Sequence, residues 1–155
     1  MRINLIAVGK KMPDWISEGI EHYKKQLPKN YNFSITLIES QSRKSKNPEQ
    51  TKNLEESLIL NAASDSNLLI AFDELGKQQT SKELSKSIEK WQLNADSVAL
   101  IIGGADGLDN SICKRAQYVI SFGKQTWPHM LVRGLLAEQL YRAQCILYGH
   151  PYHRV

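Results

Sequence analysis

Short apolar runs alternate along the chain with stretches in which apolar residues recur every three to four positions, the signature of strands alternating with helices. Met1 to Gly9 reads as a first strand. A helix is predicted from Asp14, as its cap, through Leu27. Trp15, Ile16, Ile20, Tyr23 and Leu27 fall on one face, Lys24 and Lys25 sit in the last turn, and Pro28 ends it. Phe33–Ile38 alternates with period two as a second strand. Glu49 to Ala63 places Leu54, Leu58 and Ala62 at four-residue spacing, a second helix. Leu68 to Phe72 is a buried strand running into Asp73-Glu74-Leu75-Gly76, read as a loop leaving the sheet's carboxyl edge. Thr80-Ser81-Lys82-Glu83 matches a capping box, and Leu84, Ile88 and Trp91 form the stripe of the helix it opens. Val98 to Ile102 is a further strand. Asp109 caps a short helix through Ala116, and Tyr118 to Phe122 is the last strand. This order predicts βαβ units around a mostly parallel sheet with helices on both faces.

The run from Ser97 to Gly107 focuses the search for a site. Its apolar strand stops at Gly103-Gly104, and Asp106-Gly107 follows. Glycines there permit a sharp turn and let a ligand approach the main chain, and in open α/β sheets ligands bind at that edge. A tight turn without a ligand is the alternative reading. The run matches neither Gly-x-Gly-x-x-Gly nor the Gly-rich loop ending in Lys-Ser/Thr, so ordinary dinucleotide and nucleoside-triphosphate sites have no support.

After the polar connection Gly123 to His129, a long helix is predicted from Met130 to about Tyr148. Leu131, Val132, Leu135, Leu136, Leu140, Ala143, Ile146 and Leu147 form a broad stripe. Gly134, Ala137, Tyr141, Cys145 and Tyr148 form a second, small and aromatic face, with Arg133, Glu138, Arg142 and Gln144 at the seams. A helix apolar nearly all round is buried on both sides. The second side is expected to pack on another copy of the chain, or else within the monomer. The tail, Gly149 to Val155, gathers two imidazoles, a phenol and a guanidinium where chain ends are usually frayed. No Cys, Asp or Glu completes a metal set with His150 and His153, which either bond to backbone or line a site where the tail folds back.

Composition narrows the class. At 155 residues the chain suits one domain, and no run approaches the ~18 apolar residues of a membrane span. The first residues lack the length and cleavage site of a signal peptide. Cys113 and Cys145, without a Cys-x-x-Cys, read as reduced thiols of a cytoplasmic protein. The net charge of +4 permits a polyanionic partner without demanding one. Its densest cationic stretch, Arg43, Lys44 and Lys46 within Gln41 to Pro48, is either a solvated loop or an arm contacting phosphates.

Several motifs are more specific. They are Ala7-Val8-Gly9-Lys10, Met12-Pro13-Asp14-Trp15, Ile102-Gly103-Gly104-x-x-Gly107-Leu108, Pro128-His129-x-Leu131-Val132-Arg133, Ala137 through Ala143, and His150-Pro151-Tyr152-His153-Arg154. Through them the chain resembles, over its whole length, the RlmH-type members of the SPOUT methyltransferases, which methylate N3 of a pseudouridine in large-subunit (23S) ribosomal RNA. The resemblance implies one SPOUT domain over residues 1–155 with a carboxyl-terminal trefoil knot, a topology otherwise nearly absent from folds. It also implies S-adenosylmethionine as methyl donor, a homodimer, the ribosome or its RNA as partner, and neither metal nor membrane.

By position the cofactor residues would be Phe72, Gly103, Gly104, Phe122, Gly123, Lys124, Gln125, Thr126 and Trp127. Phe72 stands where a smaller aliphatic is more usual, and Lys124-Gln125 replace less polar residues. A lysine beside a sulfonium is repelled, so the backbone of Lys124 would carry binding. The catalytic candidates are His129, Arg142, Tyr152, His153 and Arg154. Either His129 or His153 would accept the N3 proton, Arg142 or Arg154 would stabilise charge on the carbonyl oxygens, and Tyr152 would stack on or hydrogen-bond the base. Methylation of another RNA such as transfer RNA, and a non-catalytic ribosome-associated binding protein, are the competing readings.

Overall fold

Parallel pairing around one central strand organises the computed structural model, which describes residues 1–41 and 47–153. Arg43, Lys44 and Lys46 of the basic segment, and Arg154 of the tail, lie outside the described residues. The strands are β1 (Arg2–Val8), β2 (Phe33–Ile38), β3 (Leu68–Gln78), β4 (Ser97–Ile102) and β5 (Tyr118–Ser121). The helices are α1 (Asp14–Gln26), α2 (Pro48–Ala62), α3 (Ser81–Asn94), α4 (Asn110–Arg115) and α5 (His129–Leu147). The sheet order is β2-β1-β4-β3-β5, all parallel, with Leu100 of β4 level with Leu5 and Ile70 on its two neighbours.

All six residues of β4 are buried, as its unbroken apolar run predicts. Val98, Leu100 and Ile102 join the core beneath α1, α3 and α5, while Ala99 and Ile101 join the one beneath α2 and α4. The period-two alternation therefore serves two cores at once. Fully burying a Leu or Ile in either contributes about 1.5–3 kcal/mol. The capping box forms: Thr80 Oγ1 accepts from the Glu83 backbone, and Glu83 accepts from the Thr80 backbone at 2.8 Å.

Four expectations are corrected. Asp14 is the first helical residue of α1, not its cap. Pro13 holds the cap position without a side-chain bond, and Asp14 instead places a negative charge in the first turn, where the helix dipole favours it. Trp15 leaves the buried face and is 64% exposed, because Ile16 and Ile20 take the arc facing α5. In α2 the inward positions are Thr51, Glu55 and Ile59, and Leu54 and Leu58 are exposed. The buried Glu55 carboxylate accepts from the Gln41 backbone at 2.8 Å and from Ser40 Oγ at 3.2 Å, long-range partners that a helical wheel cannot include. Finally, Asp73 to Gly76 does not leave the sheet. The strand shifts register between Phe72 and Lys77, with Asp73 Oδ1 accepting from the Leu75 backbone, and continues along β5 to Gln78.

The two-sided burial of α5 is met largely within the chain. Both α1 and α3 pack on it, and Ala137 and Cys145 are buried there rather than presented outward. Gly134 faces Ile16 of α1. Arg133 and Gln144, expected at seams, are buried. Leu131, Gly134, Leu135, Tyr141 and Arg142 stay partly open. Among the described residues, no helix is long and apolar enough to cross a membrane.

Candidate active site

The carboxyl ends of β3, β4 and β5 and the first turn of α5 enclose a cleft of about 360 Å³, within the range of small-molecule sites. Its position follows from the parallel sheet, where strand ends and the loops after them gather at one edge. Beyond β4 the chain doubles back: Gly107 N donates to Gly104 O at 3.1 Å. A Cβ on Gly103 would lie 2.6 Å from the Gly107 backbone, and one on Gly104 would press on Val8 at 3.1 Å. The paired glycines are thus required by the turn itself, and the main chain they expose lines the cleft. After β5, Ser121 Oγ donates to Gly123 O at 2.7 Å and accepts from its N–H, closing the next turn.

Of the predicted cofactor residues, Phe72, Gly103, Gly104, Phe122, Gly123, Gln125, Thr126 and Trp127 line this one cleft. The exposed Lys124 does not. Phe72 and Phe122 stack with ring centroids 5.2 Å apart and planes 17° apart, forming an apolar wall. Thr126 Oγ1 donates to Glu74 at 3.0 Å, joining the β3 lip to the loop after β5. Asp73, Glu74, Asp106 and Lys52 also line the cleft and were not singled out from sequence. Asp73-Glu74 following a buried strand was a usable signal. Nothing local marks Lys52, which reaches the cleft only through the packing of α2.

The predicted catalytic residues fall into two groups. His129 lines the cleft as the first residue of α5. Burial, and then the nearby Arg133 guanidinium, hold its imidazole below the usual histidine range. Arg142 and Tyr152 lie at the far end of the same helix. At 1.5 Å per residue, Arg142 is roughly 20 Å along the axis from His129. There Arg142 donates twice to Glu138, at 2.9 and 2.6 Å, and lies over the Tyr152 ring at 5.0 Å. The Tyr152 hydroxyl meets Glu138 at 3.2 Å and Tyr23 at 3.3 Å, so the tail rests on α5 and α1. Partial burial and these neighbours push the Tyr152 hydroxyl far above its ordinary range, while the bond to Glu138 raises Arg142. His153 ends the short 3-10 turn Pro151–His153. Among the described residues, no group of three His, Cys, Asp or Glu is placed to hold a metal.

Comparison with known proteins agrees with this architecture. A family model described as "Predicted SPOUT methyltransferase" matches residues 1–153. A protein of Paraburkholderia xenovorans named "Ribosomal RNA large subunit methyltransferase H" is 41% identical over the full length of both chains. One of the same name from Rhodospirillum centenum is 44% identical over 99% of each. Among solved structures, a probable methylase family protein from Haemophilus influenzae aligns with a TM-score of 0.60 at 16% identity, covering 96% of this chain and 67% of that one. A probable methyltransferase from Bordetella pertussis aligns at 0.58 and 15% identity, covering 92% and 95%. At that identity the structural likeness is one of fold.

Proposed function

The chain belongs to the SPOUT methyltransferase family, and we propose that it methylates N3 of a pseudouridine in 23S ribosomal RNA, using S-adenosylmethionine as donor. The observation that carries the reading is a full-length match to large-subunit ribosomal RNA methyltransferases in a chain whose strand ends build a cofactor-sized cleft.

The cleft suits this donor. The Phe72–Phe122 wall offers an apolar surface to an adenine ring, and exposed main chain at Gly103, Gly104 and Gly123 offers hydrogen bonds without bulk. Asp73, Glu74 and Asp106 favour a positively charged sulfonium, while Lys52 can meet a carboxylate. When bound, the donor supplies an electrophilic methyl group.

The residues of the chain then have two tasks. One is positioning, because in-line transfer depends on holding the nucleophile behind the methyl carbon. The other is proton removal, because N3 carries a proton between two carbonyls. His129 is placed for that second task, since it lines the cleft and is held toward its neutral form.

We also infer a homodimer. Arg142 and Tyr152 are remote from His129 along α5, and a neighbouring copy can bring its own tail to this cleft. The partly open Leu131, Gly134 and Leu135 offer α5 a surface on which to pair. The carboxyl-terminal knot belongs to the same reading.

Mass spectrometry of 23S ribosomal RNA from cells lacking the protein tests the substrate. One N3-methylpseudouridine should disappear and return on complementation, and purified protein should methylate ribosomes from those cells. Modification of transfer RNA alone would redirect the assignment. Unchanged ribosomal and transfer RNA would refute RNA methylation.

A further inference from the structure

Arg133 heads the fully buried side chains by volume, at 0% exposure. Its Nη2 donates to the Val8 carbonyl at 2.6 Å, while Nε and Nη1 have no hydrogen-bond partner. Among the described residues no carboxylate forms an ion pair with it. Burial lowers its proton affinity. A guanidinium nonetheless stays charged in proteins, and burying one without a counter-charge costs several kcal/mol. The fold therefore keeps a fixed, uncompensated positive charge at the end of β1. It lies one helical turn beyond His129, and the two side chains converge on Gly9. A Cβ on Gly9 would sit 3.2 Å from Arg133 Nη2 and 3.5 Å from His129 Nε2, at a φ of +106° that favours glycine.

We propose that Arg133 is a positioning residue for methyl transfer, acting through His129 so that this imidazole receives the proton of the substrate nitrogen. The inference rests on the methyltransferase reading above. Arg133 anchors the end of β1 through Val8 and places its charge beside the imidazole. Burial and that charge both disfavour imidazolium, and the positive end of the α5 dipole acts in the same direction. The other charged groups at the cleft are Asp73 and Glu74 on β3, Asp106 after β4 and Lys52 on α2, and Lys10 follows Gly9. Arg133 is the charge that most affects His129.

A neutral imidazole holds a free lone pair at neutral pH. In the transfer step the N3–H proton passes to His129, and the N3 electron pair forms a bond to the methyl carbon. The carbon–sulfur bond breaks with its electrons kept by sulfur, yielding S-adenosylhomocysteine. The imidazolium left behind is repelled by Arg133 and returns its proton to water.

The test uses the full-length protein and its Arg133→Lys and Arg133→Met variants. His129 is titrated by NMR, assigned through His129→Asn, and single-turnover methylation of ribosomes from cells lacking the protein is followed against pH. In the wild type His129 should titrate below its ordinary 6.5. Its folded value then lies below its unfolded one, so this residue's contribution makes folding stability fall as pH drops through 6.5. Arg133→Lys should preserve the profile. Arg133→Met should move the titration and the acid limb of the rate upward together by about one pH unit, a tenfold loss at the acidic end that closes at alkaline pH. An equal loss at every pH, or a wild-type His129 titrating at or above 6.5, would overturn the proposal. If Arg133→Met fails to fold, the wild-type and Arg133→Lys titrations decide. If wild-type protein methylates no ribosome, the functional reading fails, while NMR still tests the Arg133–His129 coupling.

Discussion

The two ends of α5 each carry an arginine near a titratable ring, and the fold treats them in opposite ways. At the amino end Arg133 is buried, bonded to one carbonyl and matched by no carboxylate, so its charge falls on His129. At the carboxyl end Arg142 is half-buried and held by Glu138 through two bonds, with Tyr152 on the same carboxylate. The first charge is held in place by core packing and needs no partner from outside the chain. The second is already satisfied locally, so its arrangement is stable by itself and remote from the cleft. Burial, rather than residue type, decides which arginine perturbs its neighbour.

The largest expected effect breaks the carboxyl end. Deleting Tyr152 to Val155 should lower single-turnover methyl transfer by ~100-fold or more, the scale of losing positioned catalytic groups. Thermal stability should barely move, since the exposed Tyr152 contributes little core. A truncated protein working at the wild-type rate would separate the tail from catalysis.

Next comes the open side of α5. Leu135→Glu should weaken self-association by ~30-fold or more, the cost of a lost interface anchor, read by sedimentation. A monomeric wild type would end the homodimer reading. Ala137→Glu should instead unfold the chain, because Ala137 is covered by the protein's own helices. A smaller effect sharpens the contrast between the arginines: a double-mutant cycle of Glu138→Gln and Arg142→Gln should give a coupling of about 1 kcal/mol in urea unfolding. The smallest concerns the cleft lip, where Thr126→Val should weaken S-adenosylmethionine binding by about threefold in calorimetry, the worth of one modest hydrogen bond.

Much of the architecture was legible because the local signals agreed. The apolar run ending in Gly103-Gly104, the capping box at Thr80 and the alternation in β2 each reported a strand, a helix start or a strand face directly. The strand-end loops could be placed at one edge because parallel βαβ units leave no other arrangement. Trp15, Leu54 and Leu58 misled for a common reason. An apolar residue on a helical wheel reports that burial would be favourable, not that a neighbour is present to provide it.

The sequence by itself determined the order of the elements, the parallel sheet, the edge bearing the cleft and the motifs through which the chain resembles its family. Each depends on residues close together in the chain or on a rule of connection. Tertiary structure alone decided that Glu55 turns inward to meet Ser40 and Gln41, that β3 runs past Asp73 along β5, that Ala137 lies inside the chain, and that Arg133 is buried unpaired beside His129. All four depend on partners from distant segments. The free energy of a charge or polar group is set by what surrounds it, and those surroundings exist only once the segments have packed.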